Sequence, residues 1–355
     1  MSLCAINVAF PFAEVSRDPV GGAEQVLSMI DRGLCARGGR SVVLARKGSR
    51  PAGELAALPS APGEIDTACW HAVHEAVRDA LSKAISSHGP DVVHLHGVDF
   101  YRYLPPPGPP VLVTLHLPLD WYPAEALRPS RPDTWLTPVS WDQARRAPAG
   151  ARMTPPIENG VDVEAYRRAP KGDFVLAIGR ICPEKGFHLA LDAARAAGRP
   201  MLLAGAVFPY PEHRRYFEAE IRPRLDGRRR WIGPVTGRRK HRLMAAARCL
   251  VTPSLAPETS SLVAREALAA GTPVVGLRSG ALVEAVDEGR TGILVERPEQ
   301  LPDAIREADR IDPEACRSAA RARFSARRMV DAYLAAYGRL AARQPLPLIV
   351  ETEHG

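Results

Sequence analysis

Two short segments of the chain gather residues able to hold a phosphorylated, hydroxyl-rich ligand. Residues 257–275 read PETSSLVAREALAAGTPVV, with Glu258 just before a predicted helix over 260–270 and Glu266 eight residues on, inside it. The small residues 267–271 let that helix pack closely on a neighbouring strand, and a carboxylate held there can accept both hydroxyls of a ribose. The helix start at Thr259, Ser260, Ser261 and Leu262 offers unpaired backbone N–H groups and a favourable dipole to a phosphate. Residues 177–188 read AIGRICPEKGFH. A strand ends near Ile178, and Arg180 and Lys185 follow in a glycine-bounded loop. Two cations at the C-terminal end of a parallel strand suit a diphosphate. Each segment alone has a plainer account, as acidic residues favoured near a helix start and as solvated loop charges.

Together, and in this order, the G-R-x4-K-G loop and the E-x7-E pair resemble the donor-site signature of the family 4 retaining glycosyltransferases, whose two-domain fold is called GT-B. The resemblance continues through 280–295, GALVEAVDEGRTGILV, and reaches GGAE at 21–24 after the first strand. It covers residues 3–340, closely in the second half and loosely in the first. It implies that Arg180 and Lys185 neutralise the diphosphate of a nucleotide-sugar donor, that Glu266 holds the ribose, and that Glu258 contacts the transferred sugar. Gly21 and Gly22 would let backbone approach the donor phosphates or the acceptor. His116, in TLHLP, matches the family histidine that faces the sugar across the cleft, where it can stabilise charge or orient a hydroxyl. One departure stands out. The family usually has Gly-Phe-Gly after the first Glu, and this chain has Thr259-Ser260-Ser261, so side-chain hydroxyls can join the phosphate contact.

No Asp-x-Asp motif is present to hold a divalent ion on a diphosphate; Asp162-Val163-Glu164 comes closest. With Arg180 and Lys185 able to neutralise the leaving group, no metal and no other cofactor are expected. His94 and His96 form an H-x-H pair at a strand end. It lacks a third ligand nearby and reads as buried or cleft-lining without metal, with His96-Gly97 where the family's first domain opens to the acceptor. Phe100, Tyr101, Tyr103, Trp121 and Tyr122 suit either a sugar acceptor or ordinary burial. The loop 208–213, FPYPEH, is a candidate cover for the donor base. The basic stretch 222–242 reads first as a solvated face and second as weak attachment to an anionic membrane. No nucleic-acid motif accompanies it, so no nucleic-acid partner is expected.

The elements that must position these residues follow from an alternation of short apolar runs with amphipathic stretches. Strands are predicted at 4–10, 41–45, 92–94, 111–115 and 135–139, with a helix over 22–36. The rhythm restarts with strands at 174–178, 201–204, 249–252, 274–277 and 293–295 and helices at 187–197 and 260–270. This is the pattern of α/β parallel sheets covered by helices, and with the resemblance it gives two Rossmann-like domains whose sheets face each other across a cleft. The domains are placed at 1–165 (acceptor side) and 166–325 (nucleotide-sugar side). The linker lies within the proline-containing 155–170, a C-terminal helix at 326–344 packs back on the first domain, and a frayed tail follows at 345–355.

The 355 residues and 46% hydrophobic content allow two packed domains, and 25% charged residues exclude a disordered chain. No apolar run spans a membrane, and the N-terminus reads as a buried strand without a leader. The six scattered cysteines form no zinc or disulfide spacing and suit a reducing cytoplasm, where the protein is placed, or at the inner face of the membrane. The net charge of +7 is mostly arginine, with lysine only at 47, 83, 171, 185 and 240. It favours anionic partners without choosing among them.

The reading these residues support is a retaining transferase moving a sugar from a nucleotide donor, UDP by default, to a saccharide, lipid-linked or small-molecule acceptor. Alternatives are a sugar-nucleotide epimerase or a phosphorylase-like enzyme on the same fold, and a non-catalytic anion or nucleic-acid binder. A dinucleotide dehydrogenase is disfavoured because no GxGxxG follows the first strand.

Overall fold

The computed structural model of the protein describes residues 2–17, 19, 21–59 and 67–349. Residues 18 and 20 of the loop before the first helix, and 350–355 of the expected frayed tail, lie outside the described residues.

In the first unit, strands β1 (Cys4–Val8), β2 (Arg40–Arg46), β3 (Glu54–Leu58), β4 (Val92–Leu95), β5 (Val111–Leu115) and β6 (Thr134–Pro138) alternate with helices α1 (Gly22–Ala36), α2 (Thr67–His88) and α3 (Trp141–Arg145). The strands pair in the order β3-β2-β1-β4-β5-β6, all parallel. In the second unit, β7 (Val175–Ile178), α4 (Phe187–Ala196), β8 (Met201–Ala204), α5 (Pro211–Tyr216), β9 (Arg229–Trp231), α6 (Gly237–Ala246), β10 (Leu250–Thr252), α7 (Leu262–Ala270), β11 (Val274–Leu277), α8 (Leu282–Ala285), β12 (Gly292–Val295), α9 (Leu301–Glu307) and α10 (Pro313–Arg323) follow. The sheet order there is β12-β11-β10-β7-β8-β9, again all parallel. Numbered from its own first strand, each sheet has the doubly wound order 3-2-1-4-5-6. The expectation of two Rossmann-like α/β sheets is therefore met.

The sequence makes these sheets through short apolar runs buried on both faces. Every residue of β1, β4 and β5 is buried, as parallel strands covered by helices require. Helix α1 turns Val26, Leu27, Ile30 and Leu34 inward, and α4 does the same with Phe187, Ala190, Leu191 and Ala194. Several elements go beyond the sequence reading, among them two edge strands and the long helix α2. β3 is a five-residue edge strand, ELAAL, with little β-branching. α2 buries only a narrow stripe, Val73, Val77, Leu81 and Ala84. β9 is the edge strand Arg-Arg-Trp inside the basic stretch.

The compact units take in the described residues up to 159 with those from 327 on, and 160–326. At the expected linker the chain is stitched rather than loose: Val161 N–H donates to Phe324 O, and Ala326 N–H donates to Val161 O. Helix α11 (Ala326–Ala341) then completes the first unit's core. Its buried Tyr333 and Tyr337 hydroxyls reach Thr114 Oγ1 (3.0 Å) and His94 Nδ1 (2.6 Å), and Tyr337 also donates to Asn7 Oδ1 (3.1 Å). After it, Leu346 is buried and Ile349 N–H donates to Met153 O, so residues 345–349 of the expected frayed tail are tied down. Among the described residues no helix is long and apolar enough to cross a membrane.

Candidate functional site

In an open doubly wound sheet, ligands bind outside the carboxyl ends of the strands where the strand order reverses. In the second unit that point lies between β7 and β10, and the loops leaving those two strands carry Arg180 and Lys185 on one side and Ser254 and Glu258 on the other. The loop after β7 turns through Pro183–Lys185 and enters α4 at Gly186, whose φ is +60°. A Cβ on Gly186 would lie 2.3 Å from Pro253 O, so glycine lets the two loops touch. Leu255 N–H donates to Glu184 O at 2.8 Å, and this backbone contact fixes their register.

Across that contact Lys185 Nζ lies 2.6 Å from Glu258 Oε1, and the Ser254 hydroxyl donates to the same oxygen. Burial alone would push the Glu258 carboxyl up. Lys185, Ser254 and the nearby Arg180 outweigh it and hold the group below the ordinary carboxylate range. Gly280 presses on Glu258 from behind: a Cβ there would meet Glu258 O at 2.5 Å and N at 2.6 Å. Ala281 N–H donates to Glu258 O at 2.7 Å. Arg180 is exposed, its guanidinium 6.0 Å from the Phe208 ring centre.

Helix α7 starts four residues after Glu258, behind Ser261, which takes the left-handed φ of +48° without capping the helix by its side chain. Ser260 and Ser261 are buried, yet neither hydroxyl has a hydrogen-bond partner. Two unpartnered hydroxyls at an uncapped helix N-terminus are suited to an anion. Thr259 and Leu262 flank them in sequence. Glu266 lies deeper in α7, 4% exposed, with Lys240 Nζ of α6 2.7 Å from Oε1.

The first unit's switch point lies between β1 and β4. His96 follows β4, and His116 follows the neighbouring β5. His96 Nδ1 and His116 Nε2 are 3.0 Å apart with the rings stacked. His94, inside β4, is sealed between Tyr337 and Thr114. Burial lowers all three imidazoles, His116 to about 3, so the cluster is neutral at physiological pH. Gly21 precedes α1 and Gly22 opens it, with Glu24 folded back so that a Cβ on Gly21 would strike its carboxylate.

The structure thus brings together Arg180, Lys185 and Glu258, places Thr259, Ser260, Ser261 and Leu262 at the α7 start, and puts Glu266 within that helix. Two partners escaped the sequence reading. Ser254 binds Glu258 from the preceding strand's end, and Lys240 binds Glu266 from another helix; no local spacing announces either. The basic stretch 222–242 is less of a free solvated face than expected. Arg222 pairs with Glu218, Arg224 with Asp192 and Glu220, Arg229 with Asp226, and Lys240 with Glu266. Of the five N-terminal aromatics, Phe100, Tyr103 and Tyr122 are core residues, leaving Tyr101 half-buried and Trp121 exposed.

Comparison with known proteins bears on the family and the fold. Residues 20–151 match the family model described as Glycosyltransferase Family 4, and residues 172–308 match the one described as Glycosyl transferases group 1. A D-inositol 3-phosphate glycosyltransferase of Jonesia denitrificans is 32% identical over 165 residues, 43% of this chain and 38% of that protein. The chain thus spans well under half the length of that curated relative. Among solved structures, AviGT4, a glycosyltransferase involved in avilamycin A biosynthesis, is 27% identical, with 96% of this chain and 98% of that one covered at a TM-score of 0.73. Anabaena HepE, solved in complex with UDP and glucose, shares the fold at 18% identity, 94% and 99% coverage and a TM-score of 0.73. The fold is GT-B. With residues 20–151 and 172–308 matched by the two models, which together cover well over half of the chain, and the architecture shared over nearly its whole length, the chain belongs to the family 4, group 1 glycosyltransferases.

Proposed function

We propose that the protein is a retaining glycosyltransferase that takes a sugar from a nucleoside diphosphate donor and gives it to an acceptor hydroxyl. The observation that carries this is the switch point of the second sheet, where two cations, a paired and largely buried carboxylate and the uncapped start of α7 converge. Arg180 and Lys185 bind the diphosphate, and the Ser260 and Ser261 hydroxyls with the α7 N–H groups take its remaining oxygens. Glu266 accepts the ribose hydroxyls while Lys240 fixes its orientation. Glu258, kept ionised by Lys185, accepts from hydroxyls of the transferred sugar. His116, its ring held by His96, is a neutral hydrogen-bonding group at the switch point of the first unit.

The bond between the anomeric carbon and the diphosphate oxygen breaks as the charge that develops on the leaving group is met by Arg180 and Lys185. The acceptor oxygen bonds to the same face of the carbon, and its proton passes to the departing phosphate oxygen. The two side chains supply the positive charge that a divalent ion would otherwise bring to the diphosphate. UDP is the first nucleotide to test, since HepE, of the same fold, was solved with it. The named relative acts on an inositol phosphate, so a small polyol phosphate is a reasonable first acceptor beside saccharides and lipid-linked sugars. The free cysteines support a cytoplasmic setting.

Thermal unfolding with millimolar uridine, guanosine and adenosine diphosphates tests the donor site. A nucleotide at 100 times its Kd should stabilise the wild type by about 2.7 kcal/mol. Arg180→Ala, at an exposed position, should keep the fold and weaken that nucleotide about 10- to 100-fold. Indifference of the wild type to all three nucleotides would refute the reading.

A further inference from the structure

Between Arg180 and Lys185 the donor loop carries two residues that the transferase chemistry does not use, Cys182 and Glu184. His213 approaches them from α5, on the segment after β8. One ligand atom from each of the three lies within 4.8 Å of the others. Cys182 is 1% and His213 7% exposed. His213 Nδ1 and Glu184 Oε2 are buried and have no hydrogen-bond partner. The His213 ring is held by Phe208, stacked at 6.3 Å, and by the edge of Tyr210 at 5.1 Å. An imidazole nitrogen and a carboxylate oxygen left unpaired out of water are costly, and together with a thiol in long contact with Arg180 O (3.6 Å) they form a donor set that a ligand would satisfy.

We propose that Cys182, Glu184 and His213 form a binding site for a zinc-class divalent ion. A soft thiolate, an imidazole and one carboxylate are the donor set of a tetrahedral zinc site with its fourth position open to water. Magnesium and calcium, which require oxygen ligands, do not fit a set with a thiol and an imidazole. Tetrahedral zinc ligands stand about 3.5 Å apart, so the three side chains need close by no more than about an ångström on binding. The thiol proton leaves to solvent, the imidazole binds neutral, and the thiolate and carboxylate balance the two charges of the ion. The ion would clip residues 205–213 to the loop that displays Arg180 and Lys185. Its existence does not depend on the transferase reading, and it is separate from any ion on a diphosphate. The scattered cysteines concealed it, because only one of its ligands is a cysteine.

The test is cobalt and zinc titration of the chelator-stripped full chain. One equivalent of Co²⁺ should give a near-ultraviolet thiolate-to-cobalt charge-transfer band, and Zn²⁺ should abolish it at one equivalent. Cys182→Ser should remove the band while circular dichroism shows the fold retained. His213→Ala and Glu184→Gln should each weaken Zn²⁺ at least about 10-fold in competition with a chromophoric chelator. A wild type without the band, or a band that survives in Cys182→Ser, overturns the site. Should Cys182→Ser fail to fold, the other two variants decide it, and unchanged Zn²⁺ affinity in both overturns it. None of these readouts involves nucleotide or sugar.

Discussion

Ser261 holds a backbone conformation that its side chain opposes. At a φ of +48° an L-residue is strained by about 1–2 kcal/mol, and the resemblance places a glycine at this position in the family. The hydroxyl is buried and unpartnered, so nothing within the second unit compensates. Ser261→Gly should relieve the strain and, after the added freedom of the unfolded chain is subtracted, raise the unfolding free energy by about 0.5–1 kcal/mol in urea titration. The same variant separates two modes of phosphate binding. If the nucleotide-induced shift persists, backbone N–H groups make the contact; if it is lost, the hydroxyl does. The charged members of the site were legible because a diphosphate and a ribose demand particular residue types at particular intervals. Lys240 was not, since it meets Glu266 only after α6 and α7 have packed, and Ser254 was not, since a serine four residues before a carboxylate in a loop is no signal until the loop's shape is fixed.

Elements were legible where a single strong period ran through them, as in β1, α1 and β7. The edge strands β3 and β9 and the narrowly striped α2 lack such a signal, and their form is set by the sheets and helices they join. Helix α11 shows what an element can contribute from far along the chain. Tyr337 supplies a hydroxyl to both His94 and Asn7 at zero solvent exposure. Tyr337→Phe leaves two buried polar groups short of a partner and should cost about 1–3 kcal/mol of stability in denaturant unfolding. Gly280 plays the corresponding part for the second unit. Its φ of +57° and its contact with the Glu258 backbone mean that Gly280→Ala should both destabilise the protein and weaken nucleotide, whereas an exposed substitution such as Arg290→Ala should do neither.

For the molecule as a whole, three neutral histidines set the acid limit. The unfolded chain binds their protons near pH 6.5, while the native His116 resists down to about 3 and His94 and His96 are likewise depressed. Between those values the unfolded state binds more protons, so stability falls as pH falls, by up to ~1.4 kcal/mol per pH unit for each such histidine. Urea midpoints measured from pH 7 to pH 4 should drop steeply, and His116→Gln should make the slope shallower. A flat profile in the wild type would contradict the buried neutral cluster. The return of α11 to the first unit also has a consequence for synthesis. The first unit's strands emerge from the ribosome early, but His94 and Asn7 wait for tyrosines that are translated only after the entire second unit. The segment 160–326 is continuous and can mature while the earlier sheet still lacks part of its core. The protein is therefore expected to acquire structure from the middle outward, and a nascent chain stalled before residue 326 should expose its first sheet to chaperones.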